Sequence, residues 1–260
     1  SWMPEPSVAE RIMRQMLADA NVTLLTGRRL AEKKGVVKQG TRITEVVMED
    51  GARFAAKVFA DCSYEGDLMA QAGVSYTYGR EGSAQYGESL AGVQAHTVNH
   101  NFAVDIPARD EKGELLPEIS AQPPGAPGSA DKRIQAYNFR VIATKEPANR
   151  VAWPKPSGYD PKRYELLARY LVQLTAFLGR APNMNEVGLI RVIPNGKADF
   201  NNRGGFSTDY IGKNYDYPEG SYAVRERIWK EHVEYQQGFY YFLANDPRVP
   251  AALQSEAREW

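Results

Sequence analysis

Cysteine is nearly absent from this sequence: Cys62 is the only one in 260 residues, which excludes an intramolecular disulfide and any cysteine-built metal centre. Histidine is scarce, with only His96, His100 and His232. The first two stand four apart but share no acidic partner at a metalloenzyme spacing, so no metal is expected. Net charge is missing as well. Thirty-two basic side chains balance thirty-two acidic ones, leaving no overall field to gather nucleic acid, and no nucleic-acid partner is expected. No apolar run reaches the roughly eighteen residues that a membrane span needs. The opening Ser-Trp-Met-Pro-Glu-Pro has neither the basic nor the apolar region of a signal peptide, and no internal repeat is visible.

What remains is an ordinary globular balance, 43% hydrophobic and 25% charged, in a chain long enough for one large domain or two modest ones. After Pro4 and Pro6, the four-residue spacing of Val8, Ile12 and Met16 predicts an amphipathic helix stopped near Asn21. Val22 to Thr26 has the composition of a short strand. Residues 42–48 and 53–60 flank Glu49-Asp50-Gly51 and predict a hairpin, since Asp-Gly tolerates the positive φ of a tight turn.

The second strand of that hairpin is expected to end at Asp61. It would be followed by the turn Cys62-Ser63-Tyr64-Glu65-Gly66, then a short helix with Asp67 as its N-cap and Gly73 as its stop. Residues 79–92 are glycine-rich and expected as an irregular loop. Residues 110–131, with Gln122-Pro123-Pro124-Gly125, predict an exposed excursion.

Residues 135–144 predict a strand, and Trp153-Pro154-Lys155-Pro156 an extended segment. Pro161 opens a helix to about Leu178 whose apolar face includes Leu166, Tyr170 and Leu174. Residues 194–215 are expected as a polar glycine- and asparagine-rich loop, and a long helix as running from about Pro218 to Ala244. On that helix, His232 and the stripe Tyr235, Phe239, Tyr240, Tyr241 and Phe242 are expected to pack in the core.

Two stretches carry chemistry. Around Asp61, Tyr64, Glu65, Gly66 and Asp67, with Gly79, Arg80 and Glu81 further on, small residues and polar side chains alternate as a flavin dinucleotide requires. The same residues also suit a capped helix and a solvated ion pair. Lys197, Asn201 and Asp209 concentrate among glycines, where they offer hydrogen bonds to a polyhydroxylated substrate and, from Lys197, stabilisation of negative charge.

The run from Phe59 to Glu81, with Tyr86-Gly87-Glu88 and Ala91-Gly92-Val93, resembles a bacterial family of FAD-dependent oxidoreductases. The likeness continues through Gln135 to Arg140, Lys155 to Asp160, Ile193 to Asn202, Phe206 to Gly212, Tyr235 to Gly238 and Asn245 to Pro250. The resemblance implies an α/β fold of the glutathione-reductase class, with an α+β substrate region. It comprises a Rossmann-like FAD/NAD(P)-binding domain over residues 1–92, interleaved with a substrate domain over 93–260 that has long helices.

It further implies FAD as cofactor, bound by Asp61, Tyr64, Glu65, Gly66, Asp67, Gly79, Arg80 and Glu81. Lys197, Asn201 and Asp209 are the implied catalytic residues. The reaction is hydride transfer to flavin from a small molecule, polyol or carbohydrate-like, with an unidentified electron acceptor. A Gly-x-Gly-x-x-Gly fingerprint and its later acidic residue do not occur, so the dinucleotide domain is expected to be incomplete and the chain an interior fragment, inactive alone. The alternative is a non-catalytic carbohydrate- or protein-binding module that has lost its cofactor.

Overall fold

The structure, a computed structural model, describes residues 3–94, 97 and 100–260. The chain forms two compact units. The smaller joins Pro6–Tyr78 to Asp216–Arg225; the larger consists of Gly79–Tyr215 and Glu226–Trp260 together with the short segment ending at Glu5.

The smaller unit begins with helix α1, Pro6–Asp19, whose residues are all at least partly exposed. Asn21 ends it in the left-handed region at φ 55, where its N–H reaches Ala18 O and that of Val22 reaches Leu17 O. An asparagine in this conformation satisfies the last carbonyls of a helix. Strands β1 (Val36–Gln39), β2 (Arg42–Val47) and β3 (Arg53–Ala55) follow as an antiparallel sheet in sequential order. The Asp50-Gly51 turn joins β2 to β3, with Val47 opposite Arg53 and Gly51 at φ 82.

One expected strand does not form and another is cut short. Val22 to Thr26 pairs with no strand among the described residues, and Val22, Leu24 and Leu25 are exposed; β-branched composition favours a strand only where a partner supplies hydrogen bonds and cover. The hairpin likewise stops at Ala55, and residues 56–61 are irregular.

Helix α2 spans Asp67–Gln71, and Asp67 is its first residue instead of its N-cap. Gly66 occupies the cap position at φ 67 with no side chain to offer. The cap is supplied from a distance: Asp61 Oδ2 accepts from Met69 N at 3.1 Å. The return segment Asp216–Arg225 is held to this unit by Glu219, which accepts from the Tyr76 and Tyr78 hydroxyls at 2.9 Å each.

The larger unit opens with helix α3 (Ser83–Tyr86) inside the expected loop. Strand β4 is only Val141–Thr144, shorter than predicted. A 3-10 turn at Pro161–Tyr164, capped by the Asp160 side chain, leads into α4 (Glu165–Leu178). Then come α5 (Met184–Val187), β5 (Leu189–Ile193), β6 (Lys197–Asn201), α6 (Tyr222–Asn245, which starts in the smaller unit) and α7 (Ala251–Glu259).

The antiparallel order is β4-β6-β5. The expected loop at 194–215 therefore contains the central strand of the sheet. Pro194, Asn195 and Gly196 make the three-residue turn into it, the last two at φ 65 and 66. Ala198 and Phe200 are fully buried in the core, and Asp199 instead pairs with Arg140.

The core lies between α4, α6, α7 and β6, with Leu167, Leu171, Phe239, Phe242, Leu243 and Leu253 buried. His232 and most of the aromatic stripe belong to it; Tyr241 is half-buried. The excursion at 110–131 is mostly exposed but anchors Leu116, which is 4% exposed.

Both sheets are antiparallel, so the architecture is a mixed α+β one. No parallel β-α-β unit of Rossmann type occurs among the described residues. Among them, too, no helix is long and apolar enough to cross a membrane.

Candidate functional site

In the smaller unit, residues 61–67 form a self-supporting turn. Asp61 Oδ1 accepts from the Ser63 backbone N–H at 3.0 Å and from its hydroxyl at 2.6 Å, while Ser63 Oγ accepts from Gly66 N at 3.1 Å. Burial opposes ionisation of Asp61, but the Ser63 bonds and the N-terminal amides of α2 outweigh it and hold the carboxyl below its usual range. Asp67 is gripped by Arg225, Nη1 to Oδ2 at 2.6 Å and Nη2 to Oδ1 at 2.8 Å. Tyr64 is fully exposed and Glu65 half-buried.

In the larger unit, Arg80 exchanges backbone hydrogen bonds with Asp131 at 2.9 and 3.1 Å, and its Nε donates to Asp131 Oδ1 at 2.9 Å. Arg80 is thus paired with Asp131 and not with Glu81. Gly79 sits against the Asp131 and Lys132 backbone, too close for any side chain.

The three residues proposed as catalytic are not brought into one cavity. Lys197 and Asn195 both donate to the Glu5 carboxylate, and these bonds hold Glu5 below its usual range. Lys197 also borders a cavity of about 460 Å³ with Arg150, Trp153 and Trp260. Asn201 Oδ1 accepts from Asn138 Nδ2 at 3.3 Å, and the same nitrogen lies 3.4 Å from Thr208 Oγ1. Asp209 stands elsewhere, on the wall of a larger cleft.

That cleft encloses about 600 Å³ and is bordered by Phe102, Glu118, Arg133, Asp209, Tyr210 and Lys213. Glu118 organises one side. It has a left-handed backbone at φ 67, uncommon for a residue with a side chain and a costly conformation to hold. Its Oε1 accepts from Arg163 Nε at 2.6 Å and Tyr210 OH at 3.2 Å, and Lys213 Nζ lies 3.1 Å from Oε2. Tyr210 stacks on Tyr235 with ring centroids 4.1 Å apart. Burial first, then the Glu118 charge, pushes the Tyr210 hydroxyl well up, so it stays a neutral donor.

Opposite in character is Asp209, whose side chain is 13% exposed and whose Oδ2 is 3.8 Å from His100 Nδ1. His96 lies outside the described residues. Among those described, no group of three or more His, Cys, Asp or Glu is placed to hold a metal ion.

Sequence reasoning finds Asp209 but misses Glu118, Arg163, Lys213 and His100. Glu118 is hidden in a stretch that reads as exposed excursion. The available signal is the apolar Leu115-Leu116 pair just before it, out of place in a solvated loop.

A mixed α+β fold with an aromatic, charge-lined cleft suits an enzyme acting on a small molecule. The chain matches the family of FAD-dependent oxidoreductases over residues 1–258 and belongs to it. No curated protein and no solved structure matches it.

FAD is the cofactor of that family. The 61–67 turn carries three carboxylates, Asp61, Glu65 and Asp67, which suit the hydroxyl-rich part of the dinucleotide and repel its pyrophosphate. Asp61 and Asp67 are committed to the α2 amides and Arg225. The turn therefore fits as a wall beside ribityl or ribose hydroxyls, with Tyr64, Glu65 and the Gly66 backbone as its accessible groups.

Proposed function

We propose that this chain supplies the substrate side of an FAD-dependent oxidation, and that the substrate binds in the 600 Å³ cleft around Glu118 and Asp209. The carrying observation is the half-buried Glu118 network. It spends two cations, a tyrosine hydroxyl and a strained backbone to present a fixed polar wall to an open cavity, and strain of this kind gathers at functional sites. When bound, FAD takes up two electrons from the substrate and passes them to an acceptor not yet identified.

Tyr64, Glu65 and Gly66 would hold cofactor hydroxyls, with Asp61 and Asp67 framing them. Gly79, Arg80 and Glu81 keep a separate assignment to the flavin side. The functional division into a Rossmann-like FAD-binding part, residues 1–92, and a substrate part, 93–260, cuts across the two compact units.

A polyol or carbohydrate-like substrate suits the exposed ring of Phe102 and the flanking carboxylates. Asp209 is the proposed catalytic residue of the cleft. Asn201 would act through Asn138, and Lys197 from its own cavity. Membership of an oxidoreductase family favours this reading over a binding module without cofactor.

The test is anaerobic mixing of the FAD-loaded protein with glycerol, sorbitol, mannitol and glucose, followed by the visible flavin band. Bleaching by at least one, abolished in Glu118→Ala protein that still binds FAD, is the expected result. Bleaching that Glu118→Ala and Asp209→Asn leave intact would place the substrate elsewhere.

A further inference from the structure

We infer that the cleft takes a singly charged organic anion, a polyhydroxy acid whose carboxylate lies between Arg133 and Lys213 and whose hydroxyls face Asp209. The inference rests on the cleft's being the substrate site, and it narrows the polyol reading to a polyol that bears a carboxylate. The residues that carry it all belong to the larger unit.

The carrying observation is an imbalance of charge that occurs twice. Asp131 stands between the guanidinium groups of Arg80 and Arg133. Arg80 donates to it from Nε at 2.9 Å and from Nη2, whereas the Arg133 side chain makes no hydrogen bond to it, with Nε 3.7 Å from Oδ2. Glu118 stands likewise between Arg163 and Lys213. Arg163 Nε donates to it at 2.6 Å; Lys213 Nζ, 3.1 Å from Oε2, is not aligned as a donor, and that oxygen has no hydrogen bond.

At both places one carboxylate serves two cations. In each case the cation without the hydrogen bond, Arg133 or Lys213, lines the cleft, and the bonded one, Arg80 or Arg163, does not. Other pairs in the same unit close evenly. Arg140 with Asp199, Arg180 with Glu186 and Lys197 with Glu5 each join one cation to one acid among the described residues.

Arg133 is also held in place. Its Nη1 and Nη2 donate to the carbonyls of Pro124 and Pro123 at 3.3 and 3.0 Å. Neutral carbonyls fix the planar fork without cancelling its charge, and each of these nitrogens keeps a second N–H. A fixed fork with free N–H groups suits a carboxylate. Lys213, 42% exposed at its side chain, adds a compact charge on a flexible stem.

The size of the imbalance sets the charge of the ligand. With Asp209 on the wall, the four cations Arg80, Arg133, Arg163 and Lys213 stand against the three carboxylates Asp131, Glu118 and Asp209. A single carboxylate neutralises the remainder, and a phosphate dianion exceeds it. Asp209, 13% exposed at its side chain, offers acceptors only, so it favours hydroxyl donors and repels a second anionic group.

Titration calorimetry of the full chain with gluconate, sorbitol and inorganic phosphate tests the inference, because gluconate and sorbitol share a polyhydroxyl chain and differ at one end by the carboxylate. At low salt gluconate should bind about tenfold or more tighter than sorbitol, and added salt should erode the difference. Lys213→Gln and Arg133→Gln should each remove most of that preference and leave sorbitol affinity nearly unchanged. The charge reversal Lys213→Glu, at the more exposed of the two positions, should turn the preference toward sorbitol, and it keeps the test open should Arg133→Gln fail to fold.

A gluconate preference that survives these substitutions overturns the inference, as does phosphate binding tighter than gluconate. If gluconate and sorbitol bind alike and Asp209→Ala weakens both, the cleft stands and the anion falls. If Asp209→Ala leaves both intact, or neither compound binds, the cleft falls with it.

Discussion

Arg225 holds Asp67 in a two-pronged grip, at 2.6 and 2.8 Å, across 158 positions of sequence. The guanidinium also donates to the carbonyls of Tyr217 and Pro218. The first residue of α2 and the return segment are thereby fastened at one point of the smaller unit. With Arg225 only 10% exposed at its side chain, removing Asp67 would strand its charge. Asp67→Ala should cost about 2–3 kcal/mol, read as a lower denaturant midpoint at unchanged slope. Arg225→Lys, which keeps charge but loses the fork, should fall between it and the native protein.

Glu118→Ala should destabilise more than Tyr210→Phe. The first leaves Arg163 without its carboxylate, at a cost of about 3 kcal/mol; the second removes a hydroxyl hydrogen bond, at about 1 kcal/mol. Chemical denaturation of the two variants side by side reads the difference. Equal losses would mean that Arg163 finds another partner.

Gly79→Ala and Gly87→Ala separate two costs. Both glycines have positive φ, 90 and 71, so each alanine bears the left-handed penalty of about 1 kcal/mol. Only at Gly79 does the new Cβ collide with backbone, that of Asp131 and Lys132. Its total should exceed about 3 kcal/mol, measured by thermal unfolding against Gly87→Ala.

Acid should unfold this protein through identifiable carboxylates. Asp131 is lowered chiefly by its bond from Arg80, Glu186 chiefly by Arg180, and Asp61 by the Ser63 and α2 bonds that overcome its burial. Their folded values lie below the unfolded ones, near 4. Their contribution is therefore complete above about pH 4 and is lost as pH falls through the depressed folded values. Denaturant midpoints from about pH 6 to about pH 2 should drop accordingly, and less steeply in Arg80→Gln.

Where local chemistry decides the structure, the sequence is readable. Asp50-Gly51 makes its turn, Asn21 stops α1, and Pro161 opens the helix that buries Leu166, Tyr170 and Leu174. Where a partner decides, it is not: the strand-like residues at 22–26 have no strand to pair with among the described residues.

Strand β6 lies between these cases. Lys197-Ala198-Asp199-Phe200-Asn201 alternates polar and apolar side chains at strand period, but glycine and asparagine on either side make the stretch look like a loop. The site follows the same rule. Asp209 stands out among polar neighbours, whereas Glu118 acquires its meaning only from Arg163 and Lys213, 45 and 95 positions later in the chain.

The return of residues 216–225 to the smaller unit has a consequence for birth on the ribosome. Glu219 and Arg225, which bind Tyr76, Tyr78 and Asp67, emerge only after everything from Gly79 to Tyr215 has been made. At about 5–20 residues per second, residues 6–78 wait on the order of ten seconds with their tyrosines and Asp67 unanswered. Through that interval Asp67 lacks the Arg225 guanidinium that later grips it, and a pause in translation lengthens the wait.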